Sequence, residues 1–166
     1  MHYVELFSHW LKATQFSWAV THYAWIWPAC ETLHFVGLAF LIGVIGIVDL
    51  RMLGVAKFLP IGPLHRLIPW GVLGFSINAI TGFLFFAGDP FQYIHNIAFQ
   101  LKILFIFLAG VNIVVFYLTG IFRVAEAIGP GEDPPASAKI IAGTSLFLWF
   151  GVMYLGRMLP FLGDAF

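Results

Sequence analysis

The sequence predicts an all-α fold: an integral membrane four-helix bundle with an N-terminal interfacial amphipathic segment. Two compositional observations point to it, since of 166 residues 61% are hydrophobic and only 10% charged. A mean hydropathy of +0.94 exceeds what a water-soluble domain of this size exposes without aggregating, so lipid is the solvent. The third observation is a recurrence of long apolar runs between connections rich in Pro, Gly and charge. At about 20 residues per crossing of a ~30 Å hydrocarbon core, the chain holds about four crossings in a single transmembrane domain and no second folded domain.

Residues 1–28 interleave Glu5, His9, Lys12 and His22 with Trp10, Trp18, Trp25 and Trp27, the composition of a helix lying in the headgroup layer. A lysine at the bilayer centre costs about 2.5–3.5 kcal/mol, so this segment is expected not to cross. It lacks a basic start and an unbroken apolar core before Pro28, so a cleavable signal peptide is not expected. Crossings are predicted at about 30–55, 66–87, 97–122 and 139–159. In the first, Phe35–Val48 is free of charge, and Ala39, Gly43 and Gly46 form a small-residue stripe suited to close helix approach, within one bundle or between protomers. AKFLPIGPLH reads as a turn, Pro69 as a kink, GDPFQ as a turn and GPGEDPPAS as the longest polar loop.

Arg51, Lys57, Arg66, Arg123 and Lys139 fall in or beside the first and third connections, against Lys12, Arg157 and Lys102 near the opposite face. The excess of Lys and Arg marks the cytoplasmic side, which is expected to put both termini of this multi-pass protein outside the cytoplasm. Basic and acidic residues balance at 8 each, so no nucleic acid partner is expected, and one cysteine, Cys30, excludes an internal disulfide.

Ionisable side chains inside a span are costly and normally face the bundle interior, so each is a candidate functional group. Glu31 and His34 stand at i and i+3 with Cys30 and Gly37 on the same face, a spacing by which a carboxylate and an imidazole serve one metal or a Glu orients a ligating His. His95 opens the third crossing, and Lys102 lies seven residues on, nearly on the same face. Crossings one and three run the same way, so His34 and His95 enter from one side, at similar depth, with Arg157 and Met158 from the antiparallel fourth. A heme b site needs one or two axial ligands, a Gly where the macrocycle presses on a helix, and cations for the propionates. His34 and His95 are the expected iron ligands with Met158 in reserve, Gly37 the close-approach position, and Lys102 or Arg157 the cations. His65 lies at the other face and reads as interfacial. Gly74, Asn78, Thr81 and Asn112 read as interhelical hydrogen-bonding groups, and Asp49 and Arg51 as satisfying each other and the loop.

The strings ETLH at Glu31–His34, DLRMLG at Asp49–Gly54, HRLIPW at His65–Trp70 and FQLK at Phe99–Lys102 resemble a bacterial family of small uncharacterised four-helix membrane proteins, over residues 25–160. The helix plan also resembles the membrane protoporphyrinogen oxidase family and the copper resistance protein D-like family. On the first of these kinships, His34 matches a heme-associated His and Lys102 the helix-three Lys. The chain departs from that family late in helix three, where Asn112–Tyr117 carries no histidine.

The functional expectation is a heme b-binding, cytochrome b-like subunit that transfers electrons, with quinone or a redox partner subunit as its partner besides the lipid bilayer. Three alternatives stand beside it: a heme-dependent enzyme oxidising a porphyrinogen, copper or other metal handling at Cys30, Glu31, His34 and His95, and an accessory subunit without cofactor. Whether the chain is an enzyme, and whether it forms a homo-oligomer, stays open at the level of sequence.

Overall fold

The computed structural model describes residues 2–162, and side chains from Glu5 onward. Met1, first residue of the predicted surface segment, lies outside the described residues. No strand occurs among them. In chain order the helices are α1 (His2–Lys12), α2 (Gln15–His22), α3 (Ile26–Met52), α4 (Ile61–Leu64), α5 (Ile68–Gly88), α6 (Pro90–Ile94), α7 (Ile97–Leu118), α8 (Ile121–Glu126) and α9 (Ala136–Met158). A 3₁₀ turn at His65–Leu67 links α4 to α5, so Ile61–Gly88 forms one crossing, and with α3, α7 and α9 it makes four helices long and apolar enough to span a membrane.

Helix ends differ from the sequence expectation where local chemistry allows a longer or shorter run. α3 begins at Ile26, upstream of Pro28, because proline is tolerated in a first turn whose N–H groups have no intrahelical acceptor. The stretch before His65 is helical and not merely a turn, with Pro63 inside α4. α7 stops at Leu118, short of the expected 122, because Gly120 takes the left-handed conformation at φ 72° and starts α8 in a new direction. GDPFQ holds the short α6.

The surface segment is two helices. Thr14 separates them: its hydroxyl donates to Leu11 O (2.6 Å) and accepts from Ser17 N (3.2 Å), capping α2. At about 100° per residue α1 divides into three sectors. Ser8 and Leu11 are buried against α5 and α6, Leu6, Phe7 and Trp10 form an exposed apolar sector, and Glu5, His9 and Lys12 an exposed polar one. A helix with those sectors lies along the bilayer surface, aromatic side down. Ser17 Oγ donates to Ala87 O (2.7 Å) and Lys12 pairs with Asp89 (3.7 Å), which fastens the segment to the outer end of α5.

Within the bundle the most extensive packing is α3 on α5 and α7 on α9, and the pairs join along α3 and α9. The α3–α5 seam is set by glycine. A Cβ on Gly74 would lie 2.6 Å from Gly37 O and 2.7 Å from Leu41 N, so only a bare backbone fits there. Leu41, Ala109, Leu148, Trp149 and Val152 fill the middle of the bundle, and Met52, Ile61, Phe116, Ala125, Ile128 and Ala142 the end near α4 and α8. Asn112 Nδ2 donates to Ile141 O of α9 (3.1 Å), the interhelical bond expected of it. Asn96 caps α7 through Oδ1 and reaches across to Leu159 O with Nδ2 (2.8 Å). α5 and α7 barely approach one another. Their outer ends are bridged by rings, Phe86 stacking on Phe99 at 5.8 Å and Tyr93 edge-on to Phe99 at 5.2 Å.

The stripe of Ala39, Gly43 and Gly46 does not serve this packing: nothing lies within 4 Å of a Cβ added at Gly43 or Gly46. Gly37, on the other side of α3, makes the close approach instead.

Asp49 and Arg51 do not satisfy each other. Two residues apart on a helix they diverge by about 200°. Arg51, fully buried, turns to the connections: Nε donates to Leu59 O, and Nη2 to Gly129 O (2.9 Å) and Glu132 O (3.4 Å). With Gly131 N donating to Lys57 O (2.7 Å), this joins the α3–α4 connection to the α8–α9 connection.

Candidate functional site

His34 projects from α3 into the outer half of the bundle, half-buried, one turn from the Gly37 crossing that draws α5 close. Its Nδ1 lies 2.7 Å from Thr81 Oγ1. Thr81, 3% exposed, also sits 2.7 Å from Ile77 O, one turn back on α5. A hydroxyl has one proton. One arrangement satisfies both contacts: the Thr81 proton lies on Ile77 O and the Thr81 oxygen accepts from His34 Nδ1–H, which is the Nδ1–H tautomer. The His34 Nε2 has no protein partner among the described residues. The ring is further held edge-on to Phe85, centroids 5.7 Å apart, and its Cε1 would be 4.0 Å from a Cβ at Gly82.

Lys102 comes to the same level from α7. It is near enough for its ammonium to bear electrostatically on the imidazole, and Nζ would lie 3.5 Å from a Cβ at Gly156 of α9. No carboxylate pairs with it among the described residues. All four crossings therefore contribute at one depth: His34, Thr81, Lys102 and Gly156. Above them Tyr93 of α6 packs on Phe86 and Phe99. Burial pushes the Tyr93 phenol up to about 12, helped by the negative charges of Asp89 and Glu31, so it stays a neutral O–H at the mouth of this region.

The other candidates fall elsewhere. His95 is exposed, and its Nδ1 lies 3.0 Å from Phe91 O of its own turn. The break at Asn96 ends α6 and starts α7 afresh, so the seven-residue spacing of His95 and Lys102 does not run along one helix. Gly37 meets Gly74, Ile77 and Asn78, which occupy the side where a macrocycle would press. Glu31 is exposed and Cys30 buried. Arg157 is exposed, its guanidinium 5.9 Å from the Phe161 ring, while Met158 is half-buried at the end of α9. His22 stacks on Trp18 at 4.3 Å. His65 packs on Phe122 at 4.7 Å at the far end of the bundle, with neither ring nitrogen partnered. No three His, Cys, Asp or Glu among the described residues converge to hold a metal ion, so Cys30, Glu31, His34 and His95 are not assembled into one donor set.

Thr81, read from the sequence as an interhelical hydrogen-bonding group on the Gly74-Asn78-Thr81 face, makes such a contact with His34, a partner that nothing local names. No family model matches the chain, and comparisons with curated proteins and with solved structures find no match.

Proposed function

We propose that this protein is a b-type heme subunit of the bacterial inner membrane that passes electrons between quinone or a periplasmic donor and a partner subunit. One observation carries the reading: an imidazole inside a membrane bundle whose Nδ1 is held by Thr81 and whose Nε2 has no protein partner among the described residues. A hydrogen bond that fixes the tautomer and orientation of a histidine is how proteins prepare that residue as a metal ligand.

The residues present fit a heme held by one protein ligand. His34 is that ligand, Thr81 and Phe85 fix its ring, and Lys102, lacking a carboxylate, is the cation for a propionate. Heme bound there supplies a one-electron carrier whose potential follows its axial ligation and the polarity around it. The sparse packing between α5 and α7 is the side from which a planar ligand reaches His34, after the Phe86–Phe99 stack parts. Both termini lie in the periplasm on this reading.

The test is the absorption spectrum of detergent-purified protein from heme-sufficient cells, oxidised and reduced. A Soret band with a reduced α-band is expected in the wild type and in His95→Ala, and its loss in His34→Ala. Thr81→Val removes the orienting bond while keeping the shape, and is expected to weaken heme retention by roughly 10–100-fold. Wild type without heme, or His34→Ala with an unchanged spectrum, rejects the proposal.

A further inference from the structure

Asp49 is a second buried ionisable group, separated from His34 by the apolar layer of Leu41, Trp149 and Val152. It is 4% exposed. Ser145 of α9, 8% exposed, is the polar group that faces it, and Oδ2 has no hydrogen-bond partner among the described residues. The surrounding elements offer no counter-charge. Arg51 makes no ion pair with it: Nε and Nη2 are on carbonyls on the other side of α3, and Nη1 has no partner among the described residues. α4 and α5, packed along α3, contain no ionisable residue. On α9, Lys139 bonds Asp133 at 2.7 Å, and Tyr154 and Arg157 stand at the opposite end. Of the ionisable groups on the neighbouring 3₁₀ turn and α8, the His65 ring lies on Phe122 beside Glu126, and Arg66, Arg123 and Glu126 are exposed.

A carboxylate in that position is shut off from bulk solvent and has no cation paired with it among the described residues, and the stable way to hold it is to neutralise it. We propose that Asp49 is a proton-binding site: in the folded protein its carboxyl carries an exchangeable proton, taken up at the end of the bundle where α4 and α8 lie, with the Ser145 hydroxyl against the acid. The step balances simply, one carboxylate and one proton giving one neutral carboxylic acid and the reverse returning both. A metal cation is poorly served there, since hard cations take six or more oxygen ligands and the side chains provide those of Asp49 and Ser145 alone. This proposal stands apart from the heme reading, because neither His34 nor Lys102 enters it.

The test is infrared spectroscopy of the full-length protein in lipid near neutral pH, with aspartate carboxyls ¹³C-labelled. A protonated-acid C=O band is expected that carries the ¹³C shift, moves down in D₂O and is missing in Asp49→Asn. Ser145→Ala should move that band without abolishing it, because the acid loses its facing hydroxyl and stays buried. That shift, with the D₂O shift, decides the matter even if Asp49→Asn does not accumulate. A wild type with no such band, a band retained in Asp49→Asn or untouched by Ser145→Ala, or one that appears only when sodium is removed, overturns the proposal.

Discussion

Gly37 and Gly74 meet backbone to backbone, and every larger residue is excluded from their contact: a Cβ on Gly74 has Gly37 O at 2.6 Å, and one on Gly37 has Gly74 O at 2.9 Å. Gly74→Ala therefore forces α5 away from α3 at a cost of about 1–3 kcal/mol. Since His34 stands one turn from Gly37 and Thr81 two turns from Gly74 along the same seam, the 2.7 Å contact loosens with it. Thermal unfolding in detergent should show the loss for Gly74→Ala and none for Gly43→Ala, whose added methyl meets nothing within 4 Å. Equal effects of the two substitutions would refute this placement of the seam.

Arg51 holds the α3–α4 and α8–α9 connections together through backbone acceptors alone. Arg51→Lys cannot reproduce a planar fork that spans two connections, so it should behave nearly as badly as Arg51→Met. Each buried carbonyl left without a donor costs roughly 1–3 kcal/mol. Hydrogen exchange at residues 127–134 is the measurement. Faster exchange in both variants, with α7 protection intact, is expected, and a fully protected lysine variant would disprove the geometric argument.

The acid response of the α8–α9 connection should trace to Asp133. Its hydrogen bonds with Lys139 (2.7 Å) and Lys57 (2.9 Å) hold its carboxyl at about 2, below its ordinary 3.8. A depressed carboxyl contributes its full stabilisation above the unfolded value and loses it as pH falls through the folded one. Loosening is thus expected on acidification from about pH 4 to about pH 2, and not on raising the pH. The group is fully exposed, so the effect is local and weakened by salt. Proteolysis at Glu132 or exchange at Gly131, followed against pH, should lose its acid step in Asp133→Asn.

Topology gives the fourth prediction. A reporter fused at residue 133 should be active in the cytoplasm, and one fused at the C-terminus in the periplasm, because Arg51, Lys57, Arg66, Arg123 and Lys139 gather at one end of the bundle. Periplasmic activity from the fusion at 133 reverses the orientation and, with it, the side on which Asp49 lies.

The crossings were legible in the sequence because lipid makes apolar length the dominant signal, and no tertiary partner is needed to read it. The surface segment was legible for a related reason: four tryptophans among charges have only one comfortable depth. Pairings were not. Ala39, Gly43 and Gly46 looked the better packing stripe, yet Gly37 and Gly74 were chosen, since composition cannot say which of two small faces meets α5. His95 and Lys102 looked collinear until Asn96 capped α7 between them. Arg51 and Asp49 looked paired because proximity in sequence was mistaken for proximity in space. Of the candidate site, His34 and Lys102 were found as intramembrane ionisable residues, while Thr81 drew its meaning only from the partner across the seam.

The Arg51 seat also bears on how the chain is made. Its guanidinium leaves the ribosome 78 residues ahead of the Gly129 carbonyl that it will bind, and 81 ahead of that of Glu132. While α3 and α5 insert as a first hairpin, Leu59 O is the one of its three carbonyl acceptors already made. The other two cannot be engaged until the residues after α8 have been translated and folded back. Closure around Arg51 is thus a late act of biogenesis, which a chain truncated before Gly129 cannot complete.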